Sequence, residues 1–102
     1  MEIVATYVPS PGRQPADELR TPPDGATAVE LRADLLGADV DLAALVAASS
    51  LPVILTLRSR AEGGSGPDDP AERRRFFERN VALPVAFLDL EAARDGHLLD
   101  TV

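Results

Sequence analysis

The hydrophobic pattern of the chain predicts four short β-strands. Each predicted strand is rich in Val, Ile, Leu or Phe, and prolines or turn residues interrupt the chain between them, which is typical of strands. The predicted strands span residues 2–8, 28–34, 53–58 and 85–91. In the second strand apolar and charged residues alternate, which places Val29, Leu31 and Ala33 on one face and Glu30, Arg32 and Asp34 on the other.

Helical patterns separate the predicted strands. Residues 41–49 carry an apolar stripe, and residues 69–80 begin with an aspartate N-cap, a proline at the first helical position and a glutamate at position 72. The link over residues 10–26 holds four prolines, which leave room for one turn of helix near residues 16–19. Strands that are joined through crossover helices run parallel. The sequence therefore predicts an α/β fold built from parallel βα repeats.

Composition and charge narrow the class of protein. The 102 residues suit one small domain, and 45% hydrophobic with 26% charged residues is an ordinary globular balance. No apolar run approaches the roughly 20 residues that a membrane helix requires, and no basic region followed by an apolar one marks a secretory signal. A net charge of −7 argues against nucleic acid as a partner. We expect a cytoplasmic protein that binds neither nucleic acid nor membrane.

The absence of two residue types, cysteine and lysine, limits the chemistry of the chain. It has no cysteine, which excludes disulfides, thiolate catalysis and cysteine-based metal sites, and we expect neither a metal nor a cofactor. It has no lysine either, so no side-chain amine can form a Schiff base within these 102 residues. His97, the single histidine, lies in an Asp-Gly-His segment that is typical of a solvated loop.

Ionisable residues gather where the predicted strands end. Charged positions close the second strand, Arg58 closes the third, and Asp89 and Glu91 close the fourth. The alternation in the second strand alone also fits a solvent-facing strand of an antiparallel sheet. In parallel α/β barrels, however, active sites are assembled from the carboxyl ends of the strands. Opposed Arg and Glu side chains in such a position can bind a polyhydroxylated carboxylate through charge-assisted hydrogen bonds.

Three segments resemble the successive signatures of the type I 3-dehydroquinate dehydratases. They are VELRADLL at 29–36, TLRSRAEGG at 56–64 and FLDLE at 87–91. The corresponding family patterns are E-[LW]-R-x-D, T-x-R-x-x-x-E-G-G and D-[LIV]-E, in this order and at similar spacing. The resemblance implies a (β/α)8 TIM barrel, of which residues 1–102 would form a single partial domain, the first four βα units.

The resemblance also implies an activity and a role for each matching residue. The family dehydrates 3-dehydroquinate to 3-dehydroshikimate, in the shikimate pathway, through an iminium on a lysine of a later strand. Glu30 and Arg58 would hydrogen-bond the substrate's hydroxyl groups, Arg32 would hold Glu30 and neighbouring carboxylates, and Glu62 would orient the catalytic histidine. These four are the predicted substrate-binding residues. The other matching positions, with supporting or structural roles, are Asp34, Asp89 and Glu91.

The chain departs from the family pattern in its catalytic groups. Neither the Schiff-base lysine nor the S-x-H-x-F histidine is present, and His97 lacks the flanking residues of that motif. We therefore expect the chain to carry the hydroxyl-binding side of the site, to be inactive alone, and to need a C-terminal half. The alternative is a non-catalytic half-barrel that binds a small anionic polyol or a protein partner. Four barrel strands leave two open edges, which favours a homo-oligomer, aggregation or marginal stability.

One basic run is left to interpret. Arg73, Arg74 and Arg75 could form an anion-binding patch, but the acidic residues three and four positions away favour a solvated, salt-bridged helix face. Phe76 and Phe77 are expected to contact the sheet.

Overall fold

A computed structural model describes residues 2–8, 12–37 and 39–98 of the chain. Its four β-strands form one sheet in the order β1-β2-β3-β4, and every adjacent pair is parallel. Each strand lies within its predicted range and is shorter than predicted. The bounds are Val4–Tyr7 for β1, Ala28–Arg32 for β2, Val53–Thr56 for β3 and Phe87–Asp89 for β4.

Helices follow each strand. They are α1 (Pro15–Arg20), α2 (Ala33–Leu36), α3 (Leu42–Ala48), α4 (Pro70–Asn80) and α5 (Ala92–Asp95), with 3-10 turns at Arg60–Glu62 and Gly96–Leu98. The predicted N-cap of α4 is confirmed, because the Asp69 carboxylate accepts a hydrogen bond from the Glu72 backbone N–H at 3.2 Å. Within the described ranges no helix is long and apolar enough to cross a membrane.

Two local predictions differ from the structure. The second strand was expected to reach Asp34, but it ends at Arg32 and the chain turns into α2. This turn brings the Asp34 carboxylate within hydrogen-bonding distance of Arg32, Arg58 and Ser65, as described below. The proline-rich link was expected to keep one helical turn, whereas α1 has six residues. Pro15 stands at the start of α1, where a missing N–H costs nothing, and Pro22 follows its end.

The hydrophobic core lies on one face of the sheet, which we call the helix face. Val29, Leu31, Val53 and Leu55 of the two central strands are at most 3% exposed there. They pack with buried residues of α1 and α3, namely Leu19, Leu45 and Val46. The predicted period-2 pattern of the second strand is confirmed, because its apolar residues face this core.

The opposite face of the sheet, which we call the open face, carries the alternate residues. Toward the carboxyl ends of the strands it carries four polar residues that we call the upper row, namely Thr6, Glu30, Thr56 and Asp89. Thr6 lies in register with Glu30 and Thr56 with Asp89, and hydrogen bonds join both threonines to Glu30. Ile54 and Phe87 lie in register with Glu30 on this face, and Val4 lies two residues before Thr6, opposite Ala28. Val4 and Phe87 expose 47% and 69% of their surface.

Strand order and the placement of the helices together define the fold class. Consecutive parallel strands with their helix contacts on one face form a singly wound sheet, whereas a doubly wound sheet has helices on both faces. The described chain is therefore a run of four βα units in one open sheet. The predicted α/β class and the partial (β/α) barrel are confirmed.

Candidate functional site

Glu30 lies in the upper row of the open face, between two threonines. Thr6 of β1 donates a hydrogen bond from Oγ1 to Glu30 Oε1 at 2.8 Å, and Thr56 of β3 donates to Glu30 Oε2 at 2.7 Å. Because the flanking strands supply one donor to each carboxylate oxygen, the orientation of this carboxylate is fixed. The second lone pair on each oxygen can still accept a hydrogen bond from a ligand.

Arg58 follows β3 and reaches the same face. Its Nη2 donates to Asp89 Oδ2 at 2.8 Å, and its Nη1 lies 3.6 Å from Glu91 Oε2. Thr56 Oγ1 lies 3.4 Å from the same Asp89 oxygen. A short chain of polar contacts therefore links Glu30 through Thr56 and Asp89 to Arg58. Glu30, Arg58 and Asp89 therefore lie together at the carboxyl ends of β2, β3 and β4, at a position that we call the mouth.

Arg32 and Asp34 form a second unit beside this mouth. Arg32 donates two hydrogen bonds to the Asp34 carboxylate, from Nε at 2.9 Å and from Nη2 at 2.8 Å. The same carboxylate accepts the backbone N–H groups of Arg58 at 3.1 Å and Ser65 at 3.0 Å. Arg32 thus donates both of these hydrogen bonds to Asp34, while Thr6 and Thr56 donate to Glu30.

The environment of Asp34 favours its charged form. Its side chain is fully buried, and burial by itself would raise the pKa. The Arg32 guanidinium and the two backbone N–H donors outweigh that effect and lower the pKa of Asp34 from 3.8 to about 2. A carboxylate with a lowered pKa in the folded state stabilises the fold above its unfolded pKa, and this contribution disappears as the pH falls toward 2.

We expect acidification to remove the contribution of the Asp34 carboxylate to the stability of the fold. Between pH 5 and pH 2, protonation of Asp34 should remove about 2 kcal/mol from the free energy of unfolding. Urea denaturation at several pH values measures it. The Asp34→Asn variant should be less stable at pH 5 and should lose about 2 kcal/mol less than the wild type on acidification. Glu78→Gln, at an exposed ion pair, is the control. Equal acid sensitivity of wild type and Asp34→Asn would contradict the role of Asp34.

The segment between Arg58 and Gly66 is a compact loop that depends on its glycines. Gly63 has a φ of +93°, a left-handed conformation that other residues adopt only with strain. Gly64 donates its N–H to the Ser59 carbonyl at 2.8 Å and passes so close to Arg58 that a Cβ would lie 2.6 Å from the Arg58 Cβ. The two glycines of the T-x-R-x-x-x-E-G-G segment therefore shape the backbone that carries Arg58.

Substitution of Gly64 should disturb this loop. In Gly64→Ala the added methyl group meets Arg58 backbone and Cβ atoms, which cannot move aside independently. We expect a loss of about 1–3 kcal/mol in the free energy of unfolding. Gly96→Ala is the matched control, because its φ is −54° and nothing lies within 4 Å of the added methyl. Thermal unfolding of both variants measures the difference, and equal midpoints would contradict the close approach.

Glu62 belongs to the 3-10 turn Arg60–Glu62, in the loop after β3. Arg94 of α5 donates from Nη1 to Glu62 Oε2 at 3.0 Å, and the same nitrogen lies 3.6 Å from Glu91 Oε1. The Glu62 side chain remains 41% exposed. This ion pair ties the loop after β3 to the helix after β4.

Glu91 is buried beneath the mouth. Its Oε2 accepts the Ser59 N–H at 3.0 Å, and its side chain is 1% exposed. Burial would raise the pKa of Glu91, but the Ser59 N–H and the guanidinium groups of Arg73 and Arg58 lower it below its ordinary value. Glu91 is therefore a buried anion that anchors the start of the loop after β3.

The interpretation of Arg73 as part of a solvated helix face is wrong. Arg73 is fully buried and donates to both oxygens of the Asp95 carboxylate at 2.8 Å, while its Nη1 donates to the Pro67 carbonyl at 3.1 Å. Arg73 lies one helical turn before the buried Phe77, so it faces α5 and not solvent. Arg74 confirms the expected surface pair, with its Nε 2.7 Å from Glu78 Oε1.

Several residues of this site were not given roles from the sequence. They are Thr6, Thr56, Arg94 and Asp95. The two threonines lie in the upper row of the open face. Because side chains alternate between the two faces of a strand, this alternation could have predicted that they share a face with Glu30. The partners across α4 and α5 depend on how two helices pack, which the local pattern does not contain.

The described chain has a cavity of about 420 Å³ lined by residues that include Tyr7, Glu18 and Pro22, and another of about 820 Å³ lined by residues that include Leu42, Phe76 and Arg79. Neither includes Glu30 or Arg58 among its lining residues. No cluster of three or more His, Cys, Asp or Glu side chains suited to a metal occurs within the described ranges. His97 belongs to the turn Gly96–Leu98, and its side chain lies outside the description.

Comparison with known families agrees with the fold and with the motif at the mouth. Residues 10–102 match the family described as type I 3-dehydroquinase. The chain belongs to the type I 3-dehydroquinase family.

Curated relatives place this sequence inside much longer proteins. Over 86 aligned residues the chain is 35% identical to the pentafunctional AROM polypeptide of Komagataella phaffii and 36% identical to that of Candida tropicalis. A third AROM polypeptide, from Yarrowia lipolytica, is 32% identical over 91 residues. These matches cover 76–78% of this chain and 6% of each relative. The chain therefore corresponds to a small part of the relatives' length.

Proposed function

We propose that the chain supplies the substrate-hydroxyl-binding side of a type I 3-dehydroquinate dehydratase, a lyase of the shikimate pathway acting in the cytoplasm. In this proposal residues 1–102 are one partial barrel domain, and a polypeptide with the later strands supplies the catalytic lysine and histidine. The family assignment and the AROM relatives support the class of reaction. The absence of lysine from the 102 residues requires that the Schiff-base amine come from elsewhere.

The main observation that supports the proposal is the chain of polar contacts between Glu30 and Arg58. These two motif residues come from positions 28 residues apart in sequence, yet Thr56 and Asp89 connect them through contacts of 2.7, 3.4 and 2.8 Å. An acceptor and a cationic donor are thereby presented side by side at the strand ends. Such a pair suits a ligand that has several hydroxyl groups and a negative charge.

Each mouth residue has a defined task in the proposed reaction. Glu30 accepts a hydrogen bond from one substrate hydroxyl, and Arg58 donates to another through the N–H groups that Asp89 does not use. Glu62, which Arg94 holds at 3.0 Å, orients the histidine of the later strands so that it can move the proton. Arg32 and Asp34 keep the loop that carries Arg58 in place.

Complementation tests this proposal. The chain is mixed with a polypeptide that carries strands five to eight of a type I 3-dehydroquinase, and dehydration is followed through the absorbance of the conjugated product. Turnover should appear only when both are present. Arg58→Ala should then lower kcat/KM by roughly 10- to 150-fold, since a hydrogen bond to a charged group contributes about 1.5–3 kcal/mol.

A surface arginine provides the control. Arg74→Ala removes a guanidinium that is 57% exposed and lies on α4, so the complemented activity should not change. Equal activity of Arg58→Ala and Arg74→Ala would reject the role of Arg58. Tight binding of a polyol carboxylate by the chain, with no turnover in any complemented mixture, would favour a non-catalytic binding module.

A further inference from the structure

The longer helices of the described chain pack in two pairs, and the larger cavity lies between the pairs. α3 packs on α1, and α4 packs on α5. The cavity of about 820 Å³ is bordered on one side by residues of α2 and the start of α3, and on the other side by α4 and the turn that follows it. Both walls therefore belong to two consecutive βα units of this chain.

The floor of the cavity is apolar. Leu57 is 5% exposed, and Leu42, Phe76 and Leu83 are partly buried and pack against the hydrophobic core. Cavities of roughly 300–1,000 Å³ that combine an apolar lining with a few polar groups are typical of small-molecule sites. The floor therefore suits a ligand with an apolar body.

Two arginines of α4 form the cationic part of the lining. Arg75 and Arg79 lie one helical turn apart on the same side of α4, next to Phe76. Their neighbours Arg73 and Arg74 both form ion pairs. Within the described ranges no ion pair includes Arg75 or Arg79. Both guanidinium groups are therefore available to an anion.

The acidic residues of the lining favour a ligand with a single localised negative charge. The Asp34 carboxylate is occupied by the hydrogen bonds described above, and Asp41 caps the start of α3. Glu72 lies about two helical turns before Arg79, toward the other end of α4. A polyanion that filled the cavity would be repelled by these carboxylates, whereas one carboxylate beside Arg79 would lie far from Glu72.

We propose that this cavity binds a small monocarboxylate with an aromatic or aliphatic body. The body packs on the apolar floor, and Arg75 and Arg79 bind the carboxylate through charge-assisted hydrogen bonds. The site is separate from the mouth, because neither Glu30 nor Arg58 lines the cavity. The proposal goes beyond the dehydratase function and does not depend on it.

Nuclear magnetic resonance of the nitrogen-15-labelled chain tests the site with 2-naphthoate as the probe. Backbone N–H signals of the lining residues Gly66, Asn80 and Leu83 should shift on titration, while those of Thr6 and Glu30 should not. Naphthalene-2-carboxamide has nearly the same shape and no charge, so it should bind at least roughly fivefold more weakly. Equal affinities of the two compounds would overturn the proposal, and so would shifts confined to the mouth or no shifts at all.

Variants of α4 test the two arginines. Arg75→Ala and Arg79→Ala should each weaken the binding of naphthoate by about three- to fivefold and leave the binding of the carboxamide unchanged. Arg74→Ala is the matched control, because Arg74 is an exposed arginine of the same helix that does not line the cavity. Equal affinities for naphthoate in all three variants would overturn the role of Arg75 and Arg79.

A bulky substitution tests the location of the ligand. Ala43 is exposed and lines the cavity, so Ala43→Phe should place a ring in it and weaken both compounds by at least roughly tenfold. Ala44→Phe is the control, because Ala44 is also exposed and does not line the cavity. Circular dichroism checks that both variants keep their helices. Unchanged binding in a folded Ala43→Phe variant would overturn the location.

These measurements are independent of turnover. Failure of naphthoate to bind would leave the proposed dehydratase function intact. Failure of the complementation experiment would leave the cavity site intact, since every residue of its lining belongs to this chain.

Discussion

The 102-residue chain on its own is expected to leave 3-dehydroquinate unconverted. The proposed reaction needs an amine that condenses with the substrate ketone, and the chain contains no lysine. A nucleophile and its general base act as a unit, so losing both should remove almost all of the rate enhancement.

Borohydride trapping and turnover assays check this expectation. Incubation of the chain with 3-dehydroquinate and borohydride should give no adduct by mass spectrometry, and no conjugated product should form. The complemented mixture described above is the positive control, and its adduct should lie on the added polypeptide. Dehydration by the purified lone chain, after removal of the host's own enzyme, would show that the proposed assignment of the catalytic groups is wrong.

Replacement of Arg73 should have the largest effect on stability. Arg73→Met would remove the guanidinium that donates to both oxygens of Asp95 and would leave that buried carboxylate without its cation. Breaking a buried ion pair from one side costs about 3–5 kcal/mol, which is comparable to the whole stability of many small domains. We therefore expect most of the variant to be unfolded at 37 °C, as measured by urea denaturation at several temperatures.

The adjacent arginine provides a matched control for this prediction. Arg74→Met removes the same charge from the same helix, but at an exposed pair, and should cost less than about 1 kcal/mol. Arg73→Lys keeps the charge and loses the two-pronged geometry, so its stability should fall between that of Arg73→Met and the wild type. Equal losses for Arg73→Met and Arg74→Met would contradict the structural role of the buried pair.

The fold could be predicted because the sequence features that indicate its strands and helices lie within each element. Two-residue alternation places Val29 and Leu31 on the face opposite to Glu30, and the N-cap at Asp69 marks the start of α4. Parallel pairing follows from the helices between strands. The convergence of Glu30 and Arg58 followed from the rule that parallel strands end at one edge.

The remaining features depend on contacts between residues far apart in sequence. β2 ends before Asp34, whose carboxylate binds backbone N–H groups 24 and 31 residues away. Arg73 is buried because Asp95, 22 residues later, comes to lie opposite it. From the sequence alone, an arginine within a run of three arginines is interpreted as surface charge, because the position of the neighbouring helix is not known. Residues of this kind require the tertiary structure.

The two threonines beside Glu30 have a consequence for the entropy of ligand binding. A glutamate side chain in water samples several rotamers, and immobilising it costs up to about 2 kcal/mol. Thr6 and Thr56 restrict Glu30 during folding, before any ligand arrives. A hydroxyl that binds to this carboxylate therefore meets an acceptor that is already oriented, so little further ordering opposes its binding. Thr6→Val and Thr56→Val would leave the charge of Glu30 unchanged and restore its rotational freedom.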